Sequence, residues 1–82
     1  MKKILYFSAP WCQPCKTFSP VMQQIGTRLP VQKIDVDATP HLAKAFNVVS
    51  VPTVLIIKNE LEAKRFIGVQ SAHVIIEAFN TI

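Results

Sequence analysis

A short apolar run of strand-favouring residues, Ile4-Leu5-Tyr6-Phe7, gives way within a few positions to apolar residues at helical spacing, and both cysteines of the chain lie at the changeover. A β-rich run followed by a 3.6-residue period marks a strand-to-helix junction. The motif Cys12-Gln13-Pro14-Cys15 sits across it, and two thiols so spaced can share one disulfide. In the first turn of a helix the backbone N–H groups lack partners and the macrodipole is positive, so a sulfur at Cys12 is favoured as thiolate over thiol. Cys12 is therefore the expected nucleophile. Cys15, one turn further in, is expected to stay protonated until it is needed.

A chain of 82 residues is expected to form one domain, and at this size folding buries only about 60% of the surface exposed when unfolded. Half the residues are hydrophobic and 17% are charged, which excludes a disordered tail and argues for a sheet covered on both faces. No stretch approaches the length of a membrane span. Met1-Lys2-Lys3 looks like the basic start of a secretory leader, but the apolar run that follows is broken by Ser8 and Pro10, too soon for a leader's core. The expected compartment is the reducing cytoplasm, where a cycling disulfide is more at home than a static one. As a structural staple, a bridge across two residues would close a trivial loop. As a zinc half-site the cysteines lack a compact histidine pair, because His41 and His73 are far from them and from each other in sequence. No metal and no cofactor beyond the dithiol are expected. Both histidines read as surface residues near helix starts, without a neighbouring acid that would make either a catalytic base.

The net charge is +4, and residues 1–34 carry Lys2, Lys3, Lys16, Arg28 and Lys33 without a single Asp or Glu. An electropositive redox end is expected, with Lys16 placed to bias the thiol chemistry. Basic residues interleaved with aromatics, the pattern of nucleic-acid binding, are not found.

Residues 2–7 read as a first strand and 11 or 12 to 29 as a helix with the inner stripe Phe18, Val21, Met22, Ile25 and Leu29. Pro20 interrupts this helix and predicts a kink. Val31 to Val36 read as a second strand; Thr39-Pro40 opens a short helix that ends near Asn47. Thr53 to Lys58 and Leu61 to Ile67 read as strands joined by a turn at Asn59-Glu60, and Ser71 caps a last helix carrying Ile75, Ala78, Phe79 and Ile82. The order βαβαββα predicts parallel strands wherever a helix intervenes and an antiparallel hairpin at the end, in one mixed four-stranded sheet with helices on both faces.

Trp11-Cys12-x-Pro14-Cys15-Lys16 after a strand, Pro20 in the next helix, Lys33-Ile34-Asp35-Val36-Asp37, Val51-Pro52-Thr53 before a strand, and Gly68 before the last helix together resemble the thioredoxin family. The resemblance covers nearly the whole chain but leaves out the strand and helix that usually precede the family's first strand here. It implies an α/β thioredoxin-like fold and a protein-disulfide reductase. In that reading Cys12 is similar to the attacking cysteine and Cys15 to the resolving one. Trp11 matches the aromatic that shields the site, and Pro52 the proline whose preceding peptide bond is cis. A groove formed by Pro10, Trp11, Val51, Pro52 and Gly68 would take an extended peptide of a client protein. A thioredoxin reductase or another dithiol donor would return the electrons. A monomer is expected, with no nucleic-acid or membrane partner.

Two positions depart from the family pattern. Tyr6 stands where a buried aspartate is common beneath the active site, so Lys33 lacks the carboxylate that usually accompanies it; Tyr6 is expected to hydrogen-bond in that pocket. Gln13 replaces a glycine next to Pro14, between the cysteines, where residues tune dithiol against disulfide. Two other readings stay open. One is a glutathione-dependent, glutaredoxin-like reductase, favoured by the short chain; the other is a binding module whose thiols are dispensable.

Overall fold

Strand β1 (Lys2–Ser8) is buried without a break from Ile4 to Ser8, which is why its sequence reads as a continuous apolar run and not as an alternation. The computed structural model describes residues 1–82. After β1 come α1 (Gln13–Ile25), β2 (Val31–Asp35), α2 (Pro40–Ala45), β3 (Thr53–Lys58), β4 (Leu61–Ile67) and α3 (Ala72–Thr81). The sheet order is β2-β1-β3-β4.

Because successive side chains of a strand point to opposite faces, β1 feeds two cores at once. Ile4 and Tyr6 join Val54 and Ile56 against Phe18, Met22 and Ile25 of α1 and Ile75 and Phe79 of α3. Leu5 and Phe7 join Ile34, Leu55 and Ile57 against Ala43 of α2. The inner stripe of α1 is thus the one read from its period, with Val21 and Leu29 packed at the margin.

Strands β1 and β2 pair in parallel, which sets Lys33 beside Tyr6 and Asp35 beside Ser8 on the α1 side. The expectation for the next crossover fails: β3 follows β2 through α2 yet runs antiparallel to β1. Entry of β3 on the far side of β1, after a helix of only six residues, brings the chain back in the reverse direction. The β3–β4 hairpin is antiparallel as expected. Asn59 and Glu60 at its tip both have positive φ, 53° and 70°, the conformation of the turn type that matches the twist of paired strands.

The helices and β2 are shorter than the sequence suggests, while β1 runs one residue further, to Ser8. Helix α1 begins at Gln13 because Cys12 is its N-cap. It stops at Ile25 because the following amides fold back, Thr27 N–H to Gln24 O at 3.1 Å and Arg28 N–H to Ile25 O at 3.0 Å. Thr39 occupies the N-cap of α2 without capping it; its hydroxyl donates instead to Asp35 O at 3.0 Å. The basic residues of the first 34 positions do not all gather at the cysteines. Lys2 and Lys3 sit at the opposite end of β1, where the Lys2 ammonium donates to Phe79 O at 2.6 Å at the negative end of α3. Only Lys16 and Lys33 of the group line a cavity with Cys15.

Arg65 ties β4 to the end of α2. Its guanidinium donates to both Glu62 carboxylate oxygens at 2.8 Å and to the carbonyls of Phe46 and Asn47. The hydrogen bond from Arg65 holds the Glu62 carboxyl below its usual range.

Phe18 is fully buried and meets Tyr6 edge to face with ring centroids 5.5 Å apart. Phe18→Ala is expected to cost about 3–5 kcal/mol, read as a lower urea midpoint, in a molecule whose total stability is about 5–15 kcal/mol. For Glu62 the sign follows from its depressed folded value: the pair contributes above pH 4.5, the unfolded reference, and the contribution disappears as pH falls through the lowered value. Urea titrations should show a small destabilisation in Glu62→Gln at neutral pH that vanishes in acid, small because the pair is solvent-exposed.

Candidate redox site

Strand β1 ends at Ser8, and two tight steps later the chain enters α1. Cys12 N–H donates to Ala9 O at 3.2 Å, closing the turn, and Cys12 takes the extended conformation of an N-cap, with φ −85° and ψ 109°. Its side chain does what a serine or aspartate does at such a position: Cys12 Sγ accepts the Cys15 N–H at 3.2 Å. Pro14 lies in the first turn, where a missing N–H leaves nothing unsatisfied. The two sulfurs are joined in a disulfide with Cα atoms 5.2 Å apart, inside the usual range for a bridge. Both cysteines are buried, at 3% and 2% exposure. A hydrogen bond and a helix dipole aimed at Cys12 Sγ favour its charged state once the bridge opens.

One side of the disulfide is an apolar shoulder. Trp11 is 66% exposed and Val49 92%, so the tryptophan is a surface group and not part of the core. Trp11, Val36, Val48, Val49, Ser50 and Val51 surround a shallow cavity of about 120 Å³. The Val51-Pro52 peptide bond is cis, as the resemblance implied. Thr53 Oγ1 donates to Ser50 O at 2.7 Å, and Gly68, at φ 92°, donates its N–H to Pro52 O at 2.9 Å. Positive φ suits glycine there, and the bond ties the end of β4 to the proline loop. Val51 packs against the Ala9, Cys12 and Cys15 cluster, and Gly68 is tied to Pro52, the residue after Val51. Pro10 and Lys16 line the other side with Cys15, and Gln13 is exposed in the first turn of α1.

Beneath the site lies Tyr6, 1% exposed. Its hydroxyl pairs with Ser19 Oγ at 2.9 Å and donates to Cys15 O at 3.3 Å. The expected hydrogen bonding of Tyr6 is present, but with a serine absent from the sequence-based candidates. Ser19 follows Cys15 by one helical turn, on the same face of α1, and that spacing was the available signal. Lys33 needs no buried partner: it is exposed, with Nζ 5.9 Å from the centre of the Tyr6 ring. His41 is exposed on α2. His73 does find an acid, contrary to the expectation, because Glu77 follows one turn later and its carboxylate lies 3.0 Å from Nε2. Neither histidine borders the cysteines.

The model of the thioredoxin family matches residues 1–81. Thioredoxin of Mycobacterium tuberculosis (strain ATCC 25618 / H37Rv) is 44% identical over 66 residues, covering 76% of this chain and 57% of that protein. Thioredoxin of Bacillus subtilis (strain 168) is 36% identical over 78 residues, covering 90% of this chain and 75% of that protein. A solved structure of thioredoxin-2, described as a component of malaria parasite protein secretion machinery, superposes with a TM-score of 0.92 at 30% identity, over 100% of this chain and 84% of that one. The chain spans little more than half the length of the mycobacterial relative.

The Tyr6 hydroxyl anchors α1 to β1 below the disulfide, so Tyr6→Phe is expected to lower stability by about 1 kcal/mol, the net worth of a typical hydrogen bond with a partner left behind. Tyr6→Asp should cost more, since it also removes the ring packed on Phe18. Urea denaturation of the two variants beside the parent chain measures both.

Proposed function

We propose that this chain, which belongs to the thioredoxin family, is a thiol–disulfide oxidoreductase that reduces disulfides of client proteins through Cys12 and Cys15. The observation that carries the reading is Cys12 Sγ at the N-cap of α1, accepting the Cys15 N–H at 3.2 Å while bridged to Cys15. One sulfur is thereby favoured as an anion and its resolving partner is already within bonding reach.

In the reduced protein the Cys12 thiolate attacks one sulfur of the client disulfide, forming a mixed disulfide and releasing the other client sulfur as thiolate. Cys15 loses its proton and attacks Cys12 Sγ; the mixed disulfide breaks and its electron pair leaves on the client. The client gains two electrons and the protein leaves as the Cys12–Cys15 disulfide. Trp11, Val51 and the Gly68 turn offer a surface beside the attacking sulfur for an extended client segment, with Pro52 buried and Pro10 on the opposite side of the cysteines. Lys16 and Lys33 set the local charge behind Cys15, and Gln13 and Pro14 bias dithiol against disulfide. A thioredoxin reductase or another dithiol donor would regenerate the dithiol in a reducing compartment such as the cytoplasm, with the chain acting as a monomer. No helix is long and apolar enough to cross a membrane.

Reduction of insulin by the chain with dithiothreitol as donor tests the activity. Cys12→Ser is expected to abolish it, and Cys15→Ser to accumulate mixed disulfides with the client. Coupling to NADPH through thioredoxin reductase, in parallel with glutathione and its reductase, separates the thioredoxin route from the glutaredoxin-like one. Undiminished function of the Cys12→Ser, Cys15→Ser double variant would replace the enzyme by the binding-module reading.

A further inference from the structure

The resolving step needs a proton acceptor, and the side chain directly below Cys15 is not one. The Tyr6 hydroxyl is already committed to Ser19 Oγ and Cys15 O. Cys15 is 2% exposed, so bulk water does not reach it freely. It does border a solvent-open cavity of about 290 Å³, lined by Ser8 at the end of β1, Ala9 and Pro10 after it, Lys16 and Ser19 on α1, and Lys33 and Asp35 on β2. A single water requires roughly 10–15 Å³ of such space together with polar partners, so the cavity has room for several.

Asp35 supplies the one carboxylate of that lining. The parallel ladder puts it there: Asp35 pairs with Ser8 and Lys33 with Tyr6, and the small side chain of Ser8 leaves the volume between Asp35 and Cys15 unfilled. Asp35 Oδ1 accepts the Asp37 N–H at 2.8 Å, which orients the carboxylate and leaves Oδ2 for water. The charged groups facing the space are Lys16 from α1 and Lys33 from β2. Strand β1 contributes no titratable side chain to the lining; the Tyr6 hydroxyl lies outside it, bonded to Ser19 Oγ. Helix α1 contributes no acid, since residues 1–34 contain none.

We propose that Asp35 takes the proton of Cys15 through cavity water during the second exchange step, a role that rests on the redox reading above. The Cys15 S–H proton passes to a bridging water, which gives one of its own to the Asp35 carboxylate. The freed sulfur pair forms the bond to Cys12 Sγ, the bond from Cys12 to the client sulfur breaks, and the client thiolate departs with that electron pair. Asp35 then returns its proton to solvent through the cavity, and the ammonium groups of Lys16 and Lys33 offset the negative charge while it is held beside Cys15. The carboxylate serves the same neighbour as the family's buried aspartate but comes from a different strand.

Stopped-flow reaction of the reduced chain with Ellman's reagent separates the two steps, because thionitrobenzoate is released once by Cys12 attack and again by Cys15 attack. Asp35→Asn should leave the first, bimolecular phase unchanged and slow the second by about 100-fold near pH 7, the lower end of a general-base contribution. The deficit should close as pH passes the free-cysteine value of about 8.5, and Asp35→Glu should recover much of the rate. Asp35→Ser guards against an Asn-specific artefact, and an intact first phase in either variant reports a folded site. A second phase with the parental rate and pH profile in both Asp35→Asn and Asp35→Ser overturns the proposal. A parent chain whose Cys12 releases no first equivalent overturns the redox reading itself, and the role of Asp35 with it.

Discussion

One hydrogen bond organises the site: the Cys15 N–H pointing at Cys12 Sγ across the first turn of α1. It exists because β1 ends where α1 begins, and β1 is fixed there by burial on both faces between β2 and β3. Were the strand half-exposed, its end would be free to fray and the sulfur would have no defined relation to the helix dipole. The apolar content of a small chain is thus spent mainly on holding one strand end still.

The loops around the cysteines are pinned by the same economy of backbone contacts. Thr53 holds Ser50, Gly68 holds Pro52, and Val51 packs against the Ala9, Cys12 and Cys15 cluster. These bonds bring three separate pieces of chain to one edge of the disulfide, where Trp11 and Val49 remain exposed. Large apolar groups left in water beside the disulfide mark this edge as an interaction surface. On the other face, the polar lining behind Cys15 includes two β2 residues, Lys33 and Asp35, that the parallel register aims at α1.

Much of this was legible in the sequence. The continuous apolar run of β1, the period of α1 and the Asn59-Glu60 turn gave elements whose types all hold, because each is set by local chemistry. The β2-to-β3 crossover was misread, since strand direction depends on which side of β1 the later strand enters, and no local pattern encodes that. Thr39 precedes α2 without capping it because its hydroxyl has a competing acceptor, Asp35 O, brought near only by the fold. Ser19 escaped notice for the same reason: a serine on a helix is ordinary until the tyrosine of a neighbouring strand arrives at 2.9 Å. The charge of the first 34 residues was legible as a sum, but its division between the two ends of β1 was not.

The most direct test is alkylation of the reduced chain with iodoacetamide across a pH series, with the modified cysteine identified by peptide mass spectrometry. Modification should fall on Cys12 first, with a rate midpoint below the free-cysteine value of about 8.5, while Cys15 stays slow. Equal rates at the two cysteines, both rising at that free-cysteine value, would contradict the account.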